Sequence, residues 1–168
     1  MPADTPARAP ADTPAQPAAA APSPYRSKTA AAWLALLFGA IGLHRIYLNG
    51  AHDKLAWAHV PFTALGLVGA ERMATLGQDD RLAWILVPVL GLMLSQGMLC
   101  AIVHALTPDE RWDARHNPGW PGRATGWGPV LAAIAALMVG GVVLIGTIAF
   151  SIQKVFEWQA EPPAELRR

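Results

Sequence analysis

"GAIGLHRIYLNG", residues 39–50, closes the first apolar run of the chain and sets His44 and Arg45 side by side before that run has ended. The run begins at Thr29, so Leu43 lies about 22 Å along a helix that rises 1.5 Å per residue. Arg45 therefore falls near the far edge of a bilayer's hydrocarbon. There its long stem reaches the headgroups and escapes most of the about 2.5–3.5 kcal/mol cost of a mid-bilayer cation. Tyr47 suits the same interface, and Asn49-Gly50 tolerates the positive φ of a turn. With Lys54 and Leu55 beginning the return, the stretch reads as the tip of a tight helical hairpin. His44, Arg45 and Tyr47 are its candidate binding residues.

The rest of the 168-residue chain agrees with a membrane reading. Hydrophobic residues make up 53% and charged residues 15%, whereas soluble domains are about 25% charged. Four apolar segments stand out: 29–48, 55–70, 82–106 and 129–152. A bilayer span takes about 20 residues, which the third and fourth supply. The second is short and holds His59 and Pro61. Lipid leaves backbone groups no outside partner, so helices are expected; barrel strands would show alternating runs, and none appears. The expectation is an all-α integral membrane bundle of about four transmembrane helices. Residues 29–73 form its first hairpin. Residues 82–152 form two further spans, joined by a surface loop at 107–127 whose Trp112, Trp120 and Trp127 either rest among headgroups or pack together.

The ends differ in composition. Residues 1–28 are mostly Pro and Ala, too poor in apolar bulk to offset ordering entropy, and read as a disordered tail. Arg8 is followed by prolines rather than an apolar core, so a signal peptide is not expected. Residues 153–168 read as a C-terminal tail. Four crossings would place Arg8, Arg26, Lys28, Arg72, Arg81, Lys154, Arg167 and Arg168 on one side, against Arg45, Lys54, Arg111, Arg115 and Arg123 on the other. That excess leans toward cytoplasmic termini, in the plasma membrane of a bacterium.

Small residues indicate close packing. Ala32, Ala35, Gly39 and Gly42 recur every three or four residues and share a helix face, as do Ala132, Ala136 and Gly140. Such faces let backbones approach in lipid, with Gly39 and Gly42 setting the approach of the first helix.

The first segment resembles the two-transmembrane TM2-type domain family, in which a basic residue and an Ala/Leu-rich helix precede Gly-x-x-Gly-x-His-Arg-Phe-Tyr-Leu-Gly. The matching residues are Lys28, Gly39, Gly42, His44, Arg45, Tyr47 and Leu48, with Ile46 at the usual Phe and Asn49 at the usual Gly. The likeness covers about residues 27–73. It implies a membrane-embedded protein without an enzymatic reaction. It also implies a cytoplasmic Arg45, opposite to the charge count.

Other chemistry is sparse. A net charge of +1 gives no field for nucleic acid. Cys100 is the single cysteine, so no internal disulfide forms. His44, His52 and His59 lack a full ligand set, and no metal or cofactor is expected. No P-loop, dinucleotide fingerprint or His-Glu-x-x-His motif occurs, so no enzyme is expected. Two functions remain. One is an interaction or assembly module that contacts membrane lipids, a membrane-protein partner or a second copy of itself through the His-Arg tip. The other is a small transporter or channel using Gln96, Cys100 and His104, which line one face of the third segment at spacings of four.

Overall fold

The computed structural model of the chain describes residues 24–160, which contain helices and no strands. The elements in chain order are α1 (Lys28–Phe38), a single 3-10 turn (Gly39–Ile41), α2 (Leu43–Asn49), α3 (Lys54–Leu76), α4 (Arg81–Leu106), α5 (Asp109–His116) and α6 (Gly128–Ala160). Local chemistry sets the starts. Ser27, Asp53 and Asp80 sit at the N-caps of α1, α3 and α4, where each side chain accepts a backbone N–H of the first turn. Helix α1 begins at Lys28, and α6 runs on to Ala160, past residue 152 where the last span was expected to end. Residues 1–23 and 161–168, with Arg8, Arg167 and Arg168, lie outside the described residues.

The first apolar run does not form one helix. Gly42 takes φ +78, a left-handed conformation that glycine adopts without steric cost. The chain doubles back there. The Ser27 backbone N–H donates to Tyr47 Oη at 2.8 Å, and the Arg26 guanidinium lies 5.4 Å from the Tyr47 ring centre. An unbroken helix would hold positions 27 and 47 about 30 Å apart. The chain therefore reverses at residues 39–42, which the sequence reading did not place, and again after Asn49, where Gly50 takes φ +85 and α3 begins at Lys54, the turn that Asn49-Gly50 predicted. His44, Arg45 and Tyr47 are not at a far tip; they return to the end of the molecule where α1 began.

Helix α4 is the hub and touches α1, the 3-10 turn, α3 and α6. Small residues make these contacts, as their spacing foretold. Ala32 packs with Ala105, Ala132 and Ala133; Ala35 and Leu36 pack with Ala101 and Ala136. At the reversal Gly39 meets Gly97 backbone to backbone, and a Cβ on Gly97 would lie 2.8 Å from the Gly39 Cα. Gly66 of α3 sits on Leu90 of α4 in the same manner.

Two helices, α4 and α6, are long and apolar enough to cross a membrane, rather than the expected four. Helix α1 is too short, and α3 is long but carries more polar residues. Only 11% and 22% of the most apolar stretches of α4 and α6 are buried. The core helix of a soluble protein would be mostly covered. Here side chains such as Val142 (74% exposed) and Leu137 (67%) face outward.

The expected surface loop at 107–127 contains α5. Its sequence, DERWDARH, places acids in the first turn and bases in the last, which suits the helix dipole. Trp112 is buried, whereas Trp127 is the most exposed of the three loop tryptophans.

Candidate functional site

Three segments converge at the end of the bundle occupied by α5. The strand of chain entering α1 is clamped first. Arg26 donates its backbone N–H to Asn117 Oδ1 at 2.7 Å, and its carbonyl accepts from Trp112 Nε1 at 2.8 Å and from Asn117 Nδ2 at 3.2 Å. Lys28 is buried and donates to the Thr107 carbonyl at 3.0 Å while pairing with the Asp109 carboxylate. Thr125 also donates to Asp109, through both its hydroxyl and its backbone N–H. The Lys28 bond and the Thr125 bonds hold the Asp109 pKa down at about 2. These bonds fix α5 against the start of α1.

Arg45 acts within the hairpin. Its Nε and Nη2 both reach Asp53 Oδ2 at 3.0 Å, and Asn49 Nδ2 donates to the same oxygen at 2.7 Å. Asp53 Oδ1 caps α3 through the Leu55 N–H at 2.9 Å. The Asn49 bond, with those from Leu55 and Arg45, lowers the Asp53 pKa. One carboxylate thus joins the end of α2 to the start of α3. Tyr47 points to Ser27 and Arg26, as described. His52 stands exposed in the turn between them. The candidate tip residues consequently do different things and do not form one face.

His44 turns inward and is 1% exposed. Its ring lies 6.1 Å from that of His59 and 5.8 Å from that of His104, centre to centre. The series continues through Trp112, 5.8 Å from His104, to His116, 4.4 Å from Trp112. A cavity of about 260 Å³ opens beside these rings; its lining includes His44, Arg45, His104, Arg111, Arg115 and His116, and no carboxylate. Burial, then the charges of Arg115 and Arg26, push the His116 pKa down.

Two lining nitrogens are buried without a partner, Nδ1 of His44 and Nε2 of His104. A buried polar atom left unpaired costs about 1–3 kcal/mol. The hydrogen bond to a neighbouring helix that would explain a buried His44 is therefore missing at that atom. Such an atom calls for a ligand, an ion or a water.

The polar stripe of α4 divides in two. Gln96 is engaged on both sides: its Oε1 lies 3.2 Å from His59 Nε2, and its Nε2 donates to Cys100 Sγ at 3.1 Å. Cys100 and His104 instead reach the cavity lining. No set of three metal-ligating side chains is grouped to hold an ion among the described residues.

Arg111, Trp112, Arg115 and His116 were missed as site residues because their segment reads as loop. The signal was present: Arg111 and Arg115, four apart between acid-first and base-last turns, belong to one helical face. Nothing in the sequence paired that face with His44. Comparison with protein families, with curated proteins and with solved structures found no match, so the TM2-type resemblance rests on residues 27–73 alone.

Proposed function

We propose that the chain is a non-enzymatic, membrane-embedded contact module that acts through the end of the bundle built by α2, the last turns of α4, and α5. On this reading α3, α4 and α6 cross the bilayer, while the α1–α2 hairpin enters and leaves by one face. The contact is with lipid or with a membrane-protein partner, a second copy included. One observation carries the proposal: a basic, imidazole-lined cavity with two unpartnered buried nitrogens sits at the end of a bundle whose long helices α4 and α6 expose large apolar side chains. Polar groups buried without partners are retained at a cost, and ligand contact is the use that offsets it. The hydrogen bonds of Gln96 support a packing role for the upper part of the α4 stripe rather than a continuous polar path.

In-membrane photo-crosslinking tests this. A photoreactive residue replaces Val103, which is 56% exposed and lines the cavity, and in a second chain Val142, which faces outward on α6. A discrete protein or lipid adduct confined to position 103 is expected. Identical adduct patterns at the two positions would sink the proposal.

A further inference from the structure

The contact-module reading says that the cavity engages something; the chemistry of its lining says what. We propose that the cavity between α2, α4 and α5 binds a phosphate group. This inference rests on the contact-module reading and narrows it to one ligand class.

Three arginines line the cavity, and they approach it from two elements. Arg45 comes from α2; Arg111 and Arg115 come from α5, one helical turn apart on a shared face. Arg45 shares its charge with Asp53. Arg111 and Arg115 have no ion pair among the described residues, and both are exposed. The three acids of α5 are placed elsewhere: Asp109 is held by Lys28 and Thr125, Asp113 accepts from Asn117 and from the Arg123 backbone, and Glu110 lines the neighbouring pocket with them. The cavity is thus cationic with no carboxylate in its lining, which disfavours a metal ion and favours an anion.

The remaining lining distinguishes phosphate from a simple halide. Guanidinium groups present several N–H donors in a planar fork that matches phosphate oxygens two at a time. The imidazoles of His44, His104 and His116 each offer a further N–H, and His44 is almost fully buried with its Nδ1 unpartnered. A tetrahedral oxyanion has enough acceptor oxygens to meet arginines from two helices and an imidazole at once; a halide does not. Val103 and Leu48 border the cavity, and Leu99 and Leu106 are exposed on the same helix as Val103. Apolar chains attached to the phosphate therefore have a surface to lie on, but the arginines recognise the phosphate itself.

The test uses the full chain in a neutral detergent at fixed ionic strength. Thermal unfolding is followed by circular dichroism while one of three probes is titrated: inorganic phosphate, dihexanoyl phosphatidic acid, or dihexanoylglycerol, which lacks the phosphate. Wild type is compared with Arg111→Ala/Arg115→Ala, whose changes are exposed, and with Lys54→Ala, a cation of the same end outside the cavity. Saturable stabilisation of wild type and of Lys54→Ala by a phosphate probe, with at least a tenfold higher half-saturating concentration in the double variant, is expected. A response to both phosphate probes identifies the phosphate group as sufficient, and a response to phosphatidic acid alone identifies a lipid headgroup. Stabilisation by dihexanoylglycerol to the same extent, equal response of the double variant, or no response to either phosphate overturns the inference. A discrete protein adduct at position 103 alongside that negative result would leave the contact module standing without its phosphate.

Discussion

Gly42 decides more than any other residue how this chain runs. Its φ of +78 is open to glycine, and a Cβ there would also fall 2.6 Å from the Ala56 carbonyl oxygen. Any L side chain in that conformation costs about 1–2 kcal/mol before the clash is counted. Gly42→Ala is expected to lower stability by at least about 2 kcal/mol in detergent, measured by thermal unfolding. Asp109 gives a second test at this scale. Its folded pKa of about 2 lies below the unfolded carboxylate value, so its contribution is present above about pH 4 and lost as pH falls through about 2. Asp109→Asn should flatten the loss of stability across that window, and an unchanged acid limb would show that Lys28 and Thr125 do not stabilise the carboxylate. His44 and Arg45 were both visible in the sequence. That Arg45 would be held by Asp53 was not, because Arg45 reads as reaching the headgroups and nothing in the sequence pairs it with Asp53.

At the scale of elements, the sequence told helix from strand and placed Ala32, Ala35, Ala132 and Ala136 on packing faces; Gly39 and Gly42, read as one face of the first helix, lie instead in the 3-10 turn and at the left-handed reversal, where Gly42 packs on Ala56 of α3. Ala32, Ala35 and Gly39 meet α4, and Ala132 and Ala136 meet α1 and α4, because small residues at helical spacing leave only backbone to pack. It missed the first reversal for a physical reason. Two turn signals stand in residues 39–50, Gly39-x-x-Gly42 and Asn49-Gly50, and the chain turns at both; inside so apolar a run, hydropathy does not mark the first. Gly97, fifty-odd residues away, offers the bare backbone against which that first turn packs. Spin labels at positions 30 and 48, in a Cys100→Ala background, should lie within about 20 Å and broaden each other's spectra. One unbroken helix would hold them about 27 Å apart and leave the spectra sharp. The helix α5 shows the opposite failure: its charge order was legible, but apolar periodicity was the signal sought, and an eight-residue charged helix has little of it.

For the whole molecule, the doubling back of α1 and α2 changes which groups share a side. Residues 24–28, 50–53 and 107–127 gather at one end, and residues 77–80 with the end of α6 at the other, as the bonds of Arg26 to Asn117, Ser27 to Tyr47 and Arg72 to Asp80 and the seat of Lys154 over the Trp84 ring require. Among the described residues, Arg26, Lys28, Arg45, Lys54, Arg111, Arg115 and Arg123 then face Arg72, Arg81 and Lys154. Positive residues are retained on the cytoplasmic side, so the end that carries the cavity is expected to be cytoplasmic. The charge count and the side implied for Arg45 by the TM2-type resemblance, opposed in a four-span layout, then agree. Single cysteines at the exposed positions 24, 51, 78, 124 and 160, again without Cys100, test this with a membrane-impermeant maleimide on intact cells. Positions 78 and 160 should label at once, and 24, 51 and 124 only after permeabilisation. The decisive comparison is position 24 against position 51, because it does not depend on absolute orientation. If the two label alike, the first apolar run enters and leaves by one face. If 24 instead follows 78 and 160, that run crosses the bilayer, and His44 cannot share a cavity with His104, Arg111 and Arg115.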